Sequence, residues 1–170
     1  MPVTTRSTNL LIVLAVAAMM AVALYMEHAM GLEPCPLCVG QRVFVILVGV
    51  WALMAWMHNP GAIGRRVYAG LGILSAIAGG AVSSRQLWMQ SLPEDQIPSC
   101  GPSFEFILDT APFLEALRVM LMGDGNCAEV VWSLFGISIP GWTLIGFVVL
   151  AVVNVYQFVR RPPQSRGWAR

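Results

Sequence analysis

The sequence predicts an all-α fold, a four-transmembrane-helix bundle whose long second outer loop carries a short amphipathic surface helix. Three observations predict it. Of the 170 residues 57% are apolar and 11% charged, with no Lys at all, whereas a soluble domain carries about 25% charged residues. A water-soluble fold of this composition would have to expose much of its Leu and Val, so a bilayer suits it better. Four stretches carry no charge: residues 10–26, 43–57, 67–84 and 142–159. The charges between them are sorted by side. Arg6 precedes the first stretch, Arg65 and Arg66 separate the second from the third, and Arg160, Arg161, Arg166 and Arg170 follow the fourth. Every acidic residue, from Glu27 to Glu129, falls in the other two connections. Cytoplasmic loops are the Arg-rich ones, so both termini are expected in the cytoplasm.

The first span is placed at about 8–27. Ala21-Val22-Ala23 also resembles a signal-peptide cleavage site. The run is longer than a usual signal core, and its removal would leave a ragged terminus just ahead of the first cysteines. An uncleaved helix is therefore expected. The second span is placed at about 42–57, after a first outer loop at about 28–41. Its charge-free run of 15 residues is short of the roughly 17–25 a span needs. The helix should therefore begin upstream, between 36 and 42, with the Arg42 head at the interface.

The connection at about 58–66, with His58-Asn59-Pro60-Gly61, is short and turn-rich. Helices two and three, the latter at about 67–87, should be antiparallel neighbours. The second outer loop, about 88–140, opens on turn chemistry around Pro93 and Pro98. Within 104–122, Phe106, Ile107, Phe113, Leu114, Leu117 and Leu121 recur at helical spacing among Glu105, Asp109 and Glu115. That pattern reads as an amphipathic helix on the membrane surface, broken or started at Pro112; a loop folded on itself is the alternative. Residues 130–159 are uncharged and too many for one straight span. Gly136 and Pro140-Gly141 divide them, placing helix four at about 141–159, since Pro suits a first helical turn. Residues 130–139 then form a re-entrant or interfacial segment, with Trp132 and Trp142 at headgroup level. Residues 160–170 form a cytoplasmic tail.

All four cysteines lie outside the spans on the acidic side: Cys35 and Cys38 in the first outer loop, Cys100 and Cys127 in the second. Disulfides persist outside the cytoplasm. One pair per loop is the simplest arrangement, although three connectivities are open. Cys35-Pro36-Leu37-Cys38 closes only a tiny loop, so its bond gains little from chain entropy and exchanges readily. At the start of a helix, N–H groups and the dipole favour a thiolate there. The competing reading is an inert staple or half a zinc site, but an all-cysteine zinc site uses two tight pairs, and Cys100 and Cys127 are 27 apart. That second pair, flanked by Gly and turn residues, fits an exposed exchangeable disulfide and a purely structural one equally well.

Arg42 follows Cys38 by four residues, one helical turn on along the same face. It opposes both the helix dipole and the charge sorting, so it is a candidate for holding a Cys38 thiolate and a bound oxyanion; the alternative is an Arg snorkelling to headgroups. Arg85, with Gln86 beside it at the outer end of helix three, supports a weaker version of the same role.

Together these features resemble the DsbB family, the quinone-dependent disulfide oxidoreductases of the bacterial inner membrane. Four spans, Cys35-Pro36-Leu37-Cys38, Arg42, and two cysteines in a long second loop carry the resemblance. So do Gly125-Asn126-Cys127-Ala128-Glu129 followed by Trp132, and Pro140-Gly141-Trp142. The likeness covers nearly the whole chain. It implies periplasmic outer loops, a quinone (ubiquinone or menaquinone) as cofactor and no metal. It also implies a DsbA-like periplasmic thiol oxidase as partner beside the lipid and quinone pool, with no nucleic acid. By position, Cys35 pairs with Cys38 and Cys100 with Cys127. Cys100 would be attacked by the reduced partner, Cys127 would leave and then attack Cys35, and Cys38 would face the quinone beside Arg42 and, more weakly, Arg85. Gln90 and Ser91 stand where some members bear a His, so no His contribution carries over.

Two rival functions remain. A quinone-linked enzyme of the vitamin K epoxide reductase type would place its C-x-x-C near a later helix. A non-enzymatic tetraspan scaffold would have structural disulfides and no use for Arg42.

Overall fold

The computed structural model describes residues 5–97, 99, 106, 109 and 112–160. Four helices, α1 (Thr5–His28), α2 (Pro36–His58), α3 (Ala62–Gln90) and α5 (Ile139–Val159), are each long and apolar enough to cross a membrane. Between α3 and α5 lie α4 (Phe113–Met122), a 3-10 turn on each side of it, and strands β1 (Ser133–Leu134) and β2 (Ile137–Ser138).

Local chemistry sets the ends of α2. Cys35 is extended at φ −69°, ψ 163°, its sulfur accepts the Cys38 N–H, and Pro36 takes the first turn, where a missing N–H is harmless. Beginning at Pro36 lengthens the helix to 23 residues, which resolves the shortness of its charge-free run and puts Arg42 inside it. At the other end Asn59 turns left-handed at φ 41° and bonds back to the Ala55 carbonyl, a conformation Asn tolerates.

α3 lies between α2 and α5, and α1 packs on α2. Small residues make these approaches possible. A Cβ at Gly79 would stand 2.2 Å from the Phe147 ring, and one at Gly49 would stand 2.7 Å from Val16 Cγ1. In lipid, close backbone approach of this kind is what gives helices van der Waals contact. Ile12, Val16, Val48, Ala76, Phe147 and Leu150 form one buried cluster. Leu37, Val82, Met89, Cys127 and Ala128 form a second at the cysteine end. Leu11, Leu14, Val22, Leu74, Ile77, Val148 and Val152 point outward, each more than half exposed. That would be a liability in water and is the surface a spanning bundle presents to lipid.

The second connection differs from expectation in part. α4 starts after Pro112, and the residues before it that the amphipathic pattern also covered lie mostly outside the described residues. Residues 133–138 form an antiparallel hairpin, with Ser133 opposite Ser138 and Leu134 opposite Ile137. Its turn residues, Phe135 and Gly136, have φ 54° and 78°. Two positive φ values match the twist of the flanking strands. Without an Asn-Gly or Asp-Gly pair the hairpin has no sequence signal, and the segment read only as interfacial.

Candidate active site

The site grows from the first turn of α2. Cys35 caps the helix and Cys38 lies one turn in, with their sulfurs 2.9 Å apart as free thiols. Leu37, between them, is fully buried and anchors the other loop. Gly123 ends α4 at φ +76°, where a Cβ would stand 2.7 Å from Leu37 Cδ1, so only glycine lets α4 seat there. The 3-10 turn Gly125–Ala128 follows and brings Cys127, with no exposed surface, against Cys35. The Ser99 carbonyl, beside Cys100, accepts the Gly125 N–H at 3.3 Å; Cys100 itself lies outside the described residues.

Packed sulfurs divide their protons unequally. The Cys127 and Cys38 sulfurs, then burial, push the Cys35 thiol far up. The same contact with Cys35 pulls Cys127 down; burial opposes it, while the backbone N–H groups of Leu37 and Asp124 assist. Leu37 belongs to the first turn of α2, so the helix N-terminus acts on a sulfur from the distant loop. The Cys127 thiol also donates to Asp124 Oδ1 at 3.7 Å.

Polar partners close around these thiols. Gln86, from α3 and 3% exposed, directs its Nε2 at Cys35 Sγ (3.3 Å) and Cys38 Sγ (3.4 Å). Its Oε1 accepts from Gln41 Nε2 at 2.7 Å and faces Cys38 Sγ at 3.6 Å. Arg42 is ion-paired with Glu27 and donates to the Ala23 carbonyl at 3.3 Å. A cleft of about 140 Å³ runs past Cys35, Cys38, Gln41, Arg42 and Gln86, walled by Met19, Met20, Met26, Val45 and Trp132.

The structure brings Cys35, Cys38, Cys127 and Arg42 to one place. Arg85 goes elsewhere: its Nε donates to the Met122 carbonyl at 2.8 Å and ties down the end of α4, and it does not line the cleft. Its side chain leaves α3 on the α4 side, while the next residue, Gln86, meets the sulfurs. Glu27 and Gln41 were not singled out from sequence. Glu27 was one acid among nine on its side, and only a partner in space distinguishes it.

Four membrane-crossing helices with thiols from two connections gathered at one end define a class, the multi-pass membrane proteins built around a cysteine cluster. Comparison with known proteins narrows it. The model of the family "Disulfide bond formation protein DsbB" matches residues 5–157, and the chain belongs to that family. It is 49% identical over 156 residues to Disulfide bond formation protein B of Saccharophagus degradans, covering 92% of this chain and 94% of that protein. The same protein of Stutzerimonas stutzeri is 49% identical, with 92% and 96% covered. Disulfide bond formation protein B 1 of Pseudomonas aeruginosa is 47% identical, again with 92% and 96% covered.

Proposed function

We propose that this chain is a membrane thiol–disulfide oxidoreductase of the bacterial inner membrane, with both termini cytoplasmic. It reoxidises a periplasmic DsbA-like dithiol carrier and passes the electrons through Cys100 and Cys127, then Cys35 and Cys38, to a membrane quinone. The observation that carries this reading is Cys127 packed on Cys35, whose sulfur is 2.9 Å from Cys38. Exchange can pass along such a row from one sulfur to the next.

The order of bonds follows from the chemistry of thiolates. A partner thiolate attacks Cys100, the Cys100–Cys127 bond breaks, and the electron pair leaves on Cys127. The Cys127 thiolate attacks Cys35; the new bond joins Cys127 to Cys35, and the pair leaves on Cys38. The lowered Cys127 proton affinity favours the attacking form, and the Leu37 N–H steadies it.

The cleft suits a quinone by its donor set. Its Met, Val and Trp walls match an apolar ring, and Arg42 and Gln41 bring N–H donors to its polar side. Arg42 spends donors on Glu27 and Ala23 but has five in all, so the head stays fixed with donors to spare. For the cycle to close, the partner's second thiolate takes the partner off Cys100. The freed Cys100 thiolate attacks Cys127 to restore Cys100–Cys127, and the electron pair leaves on Cys35. A bound quinone would then accept two electrons and two protons as the reduced Cys35 and Cys38 re-form their disulfide.

The test is anaerobic quinone reduction by a reduced DsbA-like protein, with and without this chain. Reduction should require the chain and be abolished by Cys35→Ala or Cys38→Ala, while Cys127→Ala traps the partner on Cys100 as a mixed disulfide. Quinone reduction that survives both substitutions, or capture of the partner through Cys38, would overturn the assignment.

A further inference from the structure

Gln86 is an amide placed among sulfurs in the interior of a bundle. At 3% exposure such a group is costly unless its hydrogen bonds are made, and here each end has a definite task. Oε1 is held by the Gln41 Nε2 donor at 2.7 Å. That contact sets the amide so that its NH₂ faces Cys35 Sγ at 3.3 Å and Cys38 Sγ at 3.4 Å. The hydrogen bonds of Arg42 run to Glu27 and the Ala23 carbonyl, whereas the Gln86 amide is the group whose N–H donors reach both sulfurs.

We propose that Gln86 is the hydrogen-bond donor that receives the thiolate released on Cys38 when Cys127 attacks Cys35, with Gln41 as the positioning residue that keeps the donor turned toward it. The inference rests on the exchange order proposed above. In that step the Cys127–Cys35 bond forms, the Cys35–Cys38 bond breaks, and the electron pair goes to Cys38 Sγ. No proton moves, and nothing is oxidised overall. The leaving sulfur is only partly exposed and has few water molecules to accept its charge, so a fixed donor 3.4 Å away lowers the energy of both the product and the transition state leading to it. Because the amide reaches both sulfurs, it also stabilises whichever member of the reduced pair is ionised, and so makes the Cys35–Cys38 disulfide easier to reduce.

Two readouts test this without a quinone or a protein partner. The first is the glutathione redox buffer at which the Cys35–Cys38 pair is half reduced; the second is the alkylation rate of Cys38 in the reduced protein. A hydrogen bond to a charged group contributes enough for a change of about tenfold or more. Gln86→Met keeps the length of the side chain and removes the donors. It should require about a tenfold more reducing buffer and slow Cys38 alkylation about tenfold near neutral pH, with the deficit closing in alkali. Gln41→Met keeps the donor but frees its orientation, and should shift both readouts the same way by less. If Gln86→Met does not accumulate in membranes, Gln86→Glu carries the test in alkali, where the carboxyl is ionised, accepts only, and must shift the midpoint in the same direction. A folded Gln86 variant with unchanged midpoint and unchanged alkylation, whatever its thermal stability, would make Gln86 a packing residue only. If these shifts appear while quinone reduction by the partner fails, the fault lies with the proposed function and not with the role of Gln86.

Discussion

Arg42, in the second turn of α2, is ion-paired with Glu27 near the end of α1, and its other arm donates to the Ala23 carbonyl at 3.3 Å. The two side chains are 22% and 29% exposed, so the pair is neither fully solvated nor fully buried. It answers the cost of placing a cation against the dipole of its own helix, because the compensating charge comes from a neighbouring helix. Arg42→Met should therefore act twice. It leaves Glu27 unpaired, a loss of about 1–3 kcal/mol between the values for exposed and buried pairs, and it removes N–H donors from the cleft. The double variant Glu27→Gln/Arg42→Met separates the effects: thermal stability should return while the apparent KM for quinone stays raised about tenfold. An unchanged KM in Arg42→Met would reduce the residue to a helix fastener.

The sorting of charges leads to a topology experiment. Arg65 and Arg66 are expected on the cytoplasmic side and the cysteine end of the bundle on the other. Alkaline phosphatase fused after Asp95 should be active, and fused after Gly64 inactive. The reverse pattern would invert the whole arrangement.

The four helices were legible because each is a charge-free run bounded by Arg or acid, and no packing knowledge is needed to see that. The thiols were legible as types and spacings, Cys35 and Cys38 as a motif and Arg42 by its i, i+4 offset. What the sequence does not carry is which side chains meet across helices. Gln86 finds Cys38 across 48 residues, Gln41 finds Gln86 across 45, and Glu27 finds Arg42 across 15. Glu27 and Gln41 look like ordinary polar residues at a helix end, and Gln86 stands out only as the neighbour of Arg85, until α1, α2 and α3 are placed together. Arg85 and Gln86 show the limit most sharply, because adjacent positions on α3 are about 100° apart, and only one of them can face the sulfurs.

The proton division among the sulfurs has a pH signature. Cys35 is raised, first by Cys127, so it should stay a thiol well above the range in which ordinary thiols ionise. Its contribution to the stability of the reduced site is complete below the ordinary thiol range and is lost progressively as pH climbs from that range through the elevated value. Cys127, being lowered, contributes in the opposite sense, with stability present above the ordinary range and lost as pH falls through its own value. Alkylation of Cys35 in the reduced protein, followed by peptide mass spectrometry against pH, should have its midpoint above the ordinary thiol range. In Cys127→Ala that midpoint should move down, whatever happens to the plateau, because the plateau reports access and the midpoint reports ionisation. A Cys35 midpoint at the ordinary thiol value in both proteins would contradict the clustered geometry.

The closest approach of α3 to α5 tests how far the site depends on the bundle. Phe147 is 1% exposed, and a Cβ at Gly79 would meet its ring atoms at 2.2, 2.4 and 2.8 Å, so Gly79→Ala must push α3 from α5. Overpacking of this kind costs about 1–3 kcal/mol. Phe147→Leu alone opens a void and should also destabilise, yet combined with Gly79→Ala it should recover most of the loss, since the two residues share one contact and their effects do not add. Gln86 lies two turns further along α3, so a displaced helix carries its amide away from the sulfurs. The single variant Gly79→Ala should therefore also make the Cys35–Cys38 pair harder to reduce, and the double variant should reverse that together with the melting temperature. Recovery of thermal stability without recovery of the redox midpoint would mean that the position of Gln86 is not set by the α3–α5 contact.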